Sequence, residues 1–210
     1  MREMQIVVLT NPKNTIMKQK MQGTVAGYSP LRDEGSQIII GYDLRQVSED
    51  LYEWFEISLP KKQTAQLSIQ VVKDAIIADI NARTDEQIVA GFVWTPASGA
   101  DPVPVWLSQE NQFNFKSAYD LAVQKEGATL PVTFKMGEDA EGNPVYHTFE
   151  DMEDAEDFYV KAVAHINQKL ADGWAEKDAL DLTPYEQALD DIQPAAPAEE
   201  EAPKKTTRKK

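Results

Sequence analysis

Residues 104–123 read PVWLSQENQFNFKSAYDLAV, and residues 144–163, forty positions later, read PVYHTFEDMEDAEDFYVKAV. Six of these twenty aligned positions are identical, and the pairs Trp106/Tyr146 and Ser108/Thr148 are conservative. A self-match at a fixed period is typical of a repeated structural unit. The matched positions suit a strand, a helix cap and a helix core, and none carries a reactive group. The repeat therefore favours a structural or binding protein.

The first copy of the repeat extends into a strand–turn–strand–helix unit. Residues 88–94 predict a strand, residues 95–104 a turn rich in Pro and Gly, and residues 105–107 the returning strand. The helix that follows is expected to begin at Ser108, because a serine hydroxyl accepts an N–H bond from the first helical turn. Gly127 is a typical residue to end it.

The second copy has the same order of elements. Residues 130–135 and 145–149 predict two strands joined by a glycine-containing hairpin loop. Thr148-x-x-Asp151 resembles a capping box for a helix that Gly173 is expected to end. The sequence thus predicts an α+β fold with two ββα units that share an antiparallel sheet and place both helices on one face.

The flanking regions predict the rest of the domain organisation. Residues 1–60 form a β-rich N-terminal region for assembly or attachment, with strands near residues 6–9, 38–40 and 51–59 and a long polar loop at 12–36. Residues 61–192 form the α+β domain, with an early helix over 67–83 and short helices after Trp174. Residues 193–210 form a Pro/Ala/Glu tail that ends in Lys and Arg. This tail cannot bury a core and is expected to be disordered.

Composition limits the kinds of protein that the chain can be. The 210 residues include no cysteine and carry a net charge of −14. Sixteen Asp and Glu against three Lys give residues 138–192 a charge of −13. This acidity describes either a solvated helical face, or a DNA mimic or docking face for a basic partner, and it disfavours binding of phosphate backbones. No apolar stretch has the length of a secretory or membrane segment, so no membrane partner is expected.

No pattern predicts catalysis, a cofactor or a metal ion. The spacing of His147 and His165 matches no metal motif. The acids at 150–154 lack the glycine turn of a calcium loop and are explained as first-turn residues of a helix. Phosphate loops and nucleophile elbows are absent. We therefore expect a protein that is not an enzyme.

Aromatic and basic residues are the candidates for binding. Trp and Tyr contribute large areas to protein interfaces, so the candidate interface residues are Trp54, Trp94, Trp106 and Tyr146. For each tryptophan, a place in the core is the alternative. The basic end is either a solubilising tail or a contact for nucleic acid or an acidic partner, and its candidate residues are Lys204, Lys205, Arg208, Lys209 and Lys210.

A family resemblance rests on the run from Val105 to Ala122. It continues in Leu130-Pro131-Val132, Tyr146-His147-Thr148-Phe149, Asp157-Phe158-Tyr159 and Gly173-Trp174. Together these stretches resemble an uncharacterised domain of tail-module and tail-fibre proteins in tailed bacteriophages and prophages, including those of Bacteroides-like hosts. The resemblance covers roughly residues 50–190, and no catalytic residue is carried over with it.

This resemblance implies a setting rather than a reaction. We expect a bacteriophage virion structural protein, an adaptor or component of the tail or neck that binds other phage structural proteins. It is expected in the virion, and in the host cytoplasm during assembly, as a homo-oligomer such as a ring or trimer in which residues 1–60 contribute contacts. The alternative is a non-virion acidic assembly chaperone for a tail or fibre protein.

Overall fold

The computed structural model describes residues 17–61, 67–97 and 99–192. The elements are β1 (Met17–Gly23), a short 3-10 turn (Val25–Gly27), β2 (Leu31–Asp33), β3 (Gln37–Ser48), β4 (Leu51–Pro60), α1 (Ile69–Ala90), β5 (Phe92–Trp94), β6 (Val103–Val105), α2 (Gln109–Gln124), β7 (Val132–Glu138), β8 (Pro144–Phe149), α3 (Met152–Asp178) and α4 (Thr183–Ile192). The predicted α+β class with a β-rich N-terminal region is confirmed.

These elements belong to two compact units. The first contains the described residues up to Ile76 and those from Asp181 onward, and the second runs from Ile77 to Leu180. The boundary therefore falls inside α1, whereas the sequence placed it between residues 60 and 61. α4 belongs to the first unit, and both copies of the repeat lie in the second. The tail at 193–210 lies outside the described residues.

The first unit contains a four-stranded antiparallel sheet in the order β1-β4-β3-β2. Ile40 on β3 lies opposite Ile57 on β4, and both side chains are buried. Opposite residues of an antiparallel pair share a face of the sheet, so these strands build an apolar core. The Tyr185 hydroxyl of α4 donates a hydrogen bond to the Gly41 carbonyl oxygen at 2.9 Å. This bond attaches α4 to the sheet.

The long loop predicted over residues 12–36 is wrong for its described part. β1 and β2 lie there, and they pair with β4 and β3 respectively. β1 is an edge strand of this sheet and carries Lys18 and Lys20, which contact Phe55 and Glu53 on β4. Charged side chains are common on edge strands, and these two lysines lie on one face of β1. On the other face, the polar Gln19 lies between two methionines and breaks the apolar alternation that identifies a strand. The predicted strand at residues 6–9 lies outside the described residues.

The second unit consists of the two ββα units. β5 pairs with β6 before α2, and β7 pairs with β8 before α3. Inward side chains of all four strands pack with those of α2 and α3 in one core. Its buried members are Ile88, Trp94, Val103, Val105, Leu107, Phe115, Met136, Phe149, Ala155, Phe158 and Ala162. Tyr159, Ile166 and Leu170 on α3 are only partly buried.

The strands that were predicted to share one sheet form two separate two-stranded antiparallel sheets, β5-β6 and β7-β8. The Trp106 N–H donates to the Met136 carbonyl oxygen at 2.8 Å and joins them. Two features interrupt a regular ladder between β6 and β7. Pro104 on β6 has no N–H to donate, and the register of β7 shifts between Lys135 and Gly137.

Helix boundaries in the second unit agree with the sequence in part. Ser108 caps α2 by accepting from the Asn111 N–H, and α2 ends before Gly127, whose φ is +82°. Thr148 does not cap α3. That role belongs to Asp151, whose carboxylate accepts from the Asp154 N–H. The residues predicted as the start of a strand at 88 are instead the last turn of α1.

Gly173 does not end α3, which continues to Asp178. A Cβ atom at Gly173 would lie 2.4 Å from the Thr84 Oγ1 atom of α1. Glycine is therefore required at this position for close helix packing rather than for a turn. An ion pair from Arg83 of α1 to Glu176 of α3 joins the same two helices, and Asp79, one turn earlier on α1, also pairs with Arg83. The sequence does not distinguish a glycine that ends a helix from a glycine that allows close helix packing. The predicted end of α3 at Gly173 was wrong for this reason.

Candidate protein-binding face

The side chains of β5–β8 that point away from the helices form the first candidate surface. Alternation along a strand sends successive side chains to opposite faces. On β8, His147 turns toward the core and its neighbour Tyr146 turns outward. Directly after β6, Leu107 is buried and its neighbour Trp106 turns outward in the same way. Trp106 is 40% exposed and Tyr146 is 62% exposed. The repeat thus places an aromatic residue at the same outward position in both copies.

Lys135 brings these two aromatic residues into one surface. It lies opposite Tyr146 in the β7–β8 register, and its Nζ atom is 5.5 Å from the centroid of the Trp106 ring. A cation over an aromatic ring is attracted by the ring's negative face. The same ammonium group pairs with Glu138 at 2.9 Å. We call Trp106, Lys135 and Tyr146 the aromatic face.

The aromatic face has the properties of an interface rather than of a core. Its rings are exposed, and Lys135 restrains one of them before any partner binds. Restraint of a contact side chain lowers the entropy lost on binding. Lys135 was missed in the sequence because a single lysine on a strand gives no pattern. Its outward position opposite Tyr146 follows only from the strand register.

The other two candidate interface tryptophans are core residues, and their prediction as interface anchors is wrong. Both Trp54 and Trp94 are almost fully buried. The indole N–H of Trp54 donates to Glu56 at 3.0 Å, and that of Trp94 donates to Asp157 at 2.9 Å. A buried indole N–H usually finds such a partner. Trp54 and Trp94 therefore occupy the alternative position that the sequence allowed, a place in the core.

Asp157 accepts the hydrogen bond from the buried Trp94 indole. Its carboxylate also pairs with Lys161 at 2.8 Å. The hydrogen bond from Lys161, followed by the one from Trp94, lowers the pKa of Asp157 from its ordinary value. The carboxylate is therefore ionised at neutral pH and accepts both bonds.

The two histidines lie apart from each other in different contacts. The His147 Nε2 atom is 2.7 Å from the Asp154 Oδ2 atom, and its ring meets the Trp94 ring edge-on at 4.8 Å. His165 stacks on Phe92 with ring centroids 5.2 Å apart. Within residues 17–61, 67–97 and 99–192, no group of three His, Asp or Glu side chains is arranged to hold a metal ion. His147 therefore has a carboxylate partner, whereas the buried Nε2 atom of His165 has no hydrogen-bond partner among the described residues.

The five basic candidates between Lys204 and Lys210 lie outside the described residues. Among the helices of the described part, none is long and apolar enough to cross a membrane.

Fold and surface together define an α+β protein with a duplicated ββα unit and an exposed aromatic face. A family model described as "Domain of unknown function (DUF4376)" matches residues 71–195. The match spans α1 to α4 and includes both copies of the repeat, so the chain belongs to this family. No curated protein and no solved structure matches the chain significantly.

Proposed function

We propose that the protein is a structural component of a tailed-bacteriophage particle, an adaptor of the tail or neck that acts by protein–protein interaction and not by catalysis. The observation that carries the proposal is the aromatic face, where Trp106 and Tyr146 are exposed and Lys135, opposite Tyr146 in the register, contacts the Trp106 ring. Exposed aromatic residues are enriched at the energetic centres of protein interfaces. The resemblance to phage tail-module proteins supplies the setting.

The proposal includes self-association in a closed ring or trimer, located in the virion and, during assembly, in the host cytoplasm. β1 supports this part, because it is an edge strand of the described sheet. An edge strand can pair with another chain, and closed symmetry is the usual form of soluble homo-oligomers. Light scattering of the full chain at increasing concentration tests it, and a monomer at every concentration would contradict it.

A second candidate function is an acidic assembly chaperone that leaves before the particle matures. The charge of −13 over residues 138–192, sixteen acids against three lysines, favours it. Such a surface attracts basic segments of unassembled proteins over distances of about 10 Å at moderate salt.

Mass spectrometry of purified particles separates the two functions. We expect the chain in mature particles of the encoding phage at a fixed copy number. A chaperone would be present in infected cells and absent from the particles.

Matched variants then connect the particle to the aromatic face. Trp106→Ala with Tyr146→Ala should give a folded protein that no longer enters particles. Trp174→Ala removes another exposed tryptophan, on α3, and should enter particles normally. Normal incorporation of the double variant would refute the role of the aromatic face.

A further inference from the structure

Each unit has an edge strand whose outer side is open. β1 lies at the end of the strand order β1-β4-β3-β2 in the first unit. In the second unit β8 pairs with β7, and β7 also accepts the hydrogen bond from Trp106 after β6. Among the described residues, no strand pairs with the outer side of β1 or of β8. An edge of this kind presents N–H and C=O groups to which another chain can add a strand.

The two edges carry opposite charge. Residues 11–23, which include β1, contain three lysines and no acid. Lys20 pairs with Glu53 on β4, and 54% of its side chain stays exposed. β8 lies between residues 138–141, with three acids, and residues 150–154, with four, and neither stretch contains a lysine or an arginine. β1 is therefore a basic edge, and β8 is an edge with acidic ends.

Only part of the acidic charge beside β8 is balanced inside the unit. Two of the seven acids have partners there, in the pairs Glu138–Lys135 and Asp154–His147. Glu141 lies in the hairpin loop before β8, Glu150 follows the strand directly, and both are exposed. These two acids therefore lie near the two ends of any strand that is added to β8.

Like charges disfavour the pairing of either edge with a copy of itself. Two β1 strands in antiparallel register about Gln19 would set Lys18 opposite Lys20 of the second copy. Two β8 strands, in either direction, would bring the acids at their ends together. Opposite charges across a strand pair are stabilising and like charges are destabilising. β1 against β8 is the combination in which a basic edge meets an acidic one, so the charges select it over both self-pairings.

We propose that β1 of one copy pairs with β8 of a second copy, so that the chain self-associates head to tail through its two edge strands. The inference rests on the proposed function, because it names the surfaces through which the proposed self-association takes place. A head-to-tail contact uses two different surfaces and can close into a ring. Pairing takes place in the plane of the strands, so it leaves Trp106 and Tyr146 accessible to another phage protein.

Two charge-reversed variants of the full-length chain test the pairing by sedimentation velocity. Lys18→Glu with Lys20→Glu alters β1, and Glu141→Lys with Glu150→Lys alters the ends of β8. Each variant alone should remain monomeric to a concentration at least about tenfold above that at which the wild type associates, because like charges then meet across the contact. An equimolar mixture should associate within about threefold of the wild-type concentration. In the mixture, the unaltered β8 of the first variant meets the unaltered β1 of the second.

α4 provides the matched control for the change in net charge. Asp190→Lys with Asp191→Lys changes the charge by as much as the β8 variant does, at two exposed positions of α4. This control should associate like the wild type. Circular dichroism must show that all variants are folded. If the reversal at Lys20 loosened β1 itself, the mixture would still test the pairing, because the first variant contributes only β8 to it.

Hydrogen exchange measures the strand pairing directly. In the associated wild type, amides on the outer sides of β1 and β8 should exchange at least about tenfold more slowly than in the dilute monomer, because new hydrogen bonds protect them. Amides of β2, the other edge of the same sheet as β1, should exchange equally in both states. Protection of β1 and β8 that did not depend on concentration would overturn the proposal, because the pairing would then lie within one chain.

The remaining outcomes separate this inference from the proposed function. Association of either variant alone at the wild-type concentration, or a mixture that stays monomeric, would overturn the pairing and leave self-association through another surface. A wild type that is monomeric at every concentration would also overturn the pairing, while its presence in purified particles would keep the structural role. A chain that pairs as proposed but is absent from particles would keep the pairing and lose the structural role.

Discussion

The two ββα units have the same order of elements but exchange large and small residues where they meet. Phe115 in the first copy corresponds to Ala155 in the second, and Ala118 corresponds to Phe158. The Phe115 and Phe158 rings meet edge-to-face with centroids 5.0 Å apart. Each copy thus contributes one phenylalanine to this contact. At the position where one copy has its phenylalanine, the other copy has an alanine. Duplication preserved the architecture, while divergence fitted the two copies together.

The two copies also contact each other through the helix of one copy and a strand of the other. Phe115 of the first copy contacts Phe134 on β7 of the second, and Phe158 of the second contacts Trp94 on β5 of the first, both at 5.2 Å. Trp94 and Phe134 are themselves forty residues apart. Each helix therefore packs on a strand of the other copy. A repeat unit of this kind does not bury its apolar face alone.

Among substitutions that disturb the packing between the two copies, Phe158→Ala is expected to have the largest effect on stability. Phe158 is 3% exposed and contacts Trp94 and Phe115 of the first copy and Phe149 of its own. Its removal should lower the free energy of unfolding by about 3–5 kcal/mol, because a cavity remains in the shared core. Urea denaturation measures the change.

Phe113→Ala is the control for that prediction. Phe113 is also a helical phenylalanine, but it is 70% exposed, so its removal should change stability by less than about 0.5 kcal/mol. Equal effects of the two substitutions would contradict the burial of α3 against the strands of the first copy.

The two copies differ most in the lengths of their helices. A smaller effect on stability is expected from a substitution in the part of α3 that α2 lacks. α2 has 16 residues and α3 has 27. The added turns of α3 pack on α1 at Gly173. Gly173→Ala should cost about 1 kcal/mol net, because the clash with Thr84 (about 1–3 kcal/mol) exceeds the gain in helix propensity of about 1 kcal/mol.

The Thr84→Ala background tests the cause of that loss. Without the Thr84 Oγ1 atom, the nearest remaining contact of a new Cβ is the Cβ atom of residue 84 at 3.4 Å, an ordinary van der Waals distance. Gly173→Ala should therefore become stabilising in this background. Thermal and urea unfolding of the four proteins give the sign. A loss that persists without the threonine oxygen would show that the close contact is not its cause.

The repeat explains how much of the fold could be predicted from sequence. Val105 and Val145 both lie in strands, and Ser108 caps a helix, because periodicity and capping are local properties. β1 was missed because the polar Gln19 and the glycine at 23 interrupt the apolar face of this edge strand. Thr148 matches Ser108 in sequence but not in role, since Asp151 three residues later caps α3.

The binding surfaces were predictable only in part. Trp106 and Tyr146 were identified as interface candidates from residue type, and so were the buried Trp54 and Trp94. Residue type does not determine burial. Strand phase does, and it becomes known only when the register is fixed.

The smallest effect on stability is expected from a charge that the second copy has and the first copy lacks. Trp94 donates to Asp157 on α3, whereas the counterparts of these residues, Phe134 and Ser117, provide neither an indole N–H nor a carboxylate. Lys161 and then Trp94 lower the pKa of Asp157 in the folded protein. The ionised carboxylate therefore stabilises the fold above the unfolded-state pKa of about 3.9. This contribution is lost as pH falls through that value and through the lower folded value.

Asp157→Asn isolates the charge, because the amide oxygen still accepts from the Trp94 indole N–H. The wild type should exceed this variant in free energy of unfolding by at most about 1 kcal/mol at pH 7, since the pair with Lys161 is partly solvated. Urea denaturation at pH 7, 5 and 3.5 should give a difference that is constant at the two higher values and shrinks at the lowest. Ser117→Asn, the change at the repeat counterpart, should give a difference that does not vary with pH. If the Asp157→Asn difference grew as the pH fell, the folded pKa of Asp157 would be raised rather than lowered, and its role as an ionised acceptor for Trp94 would be wrong.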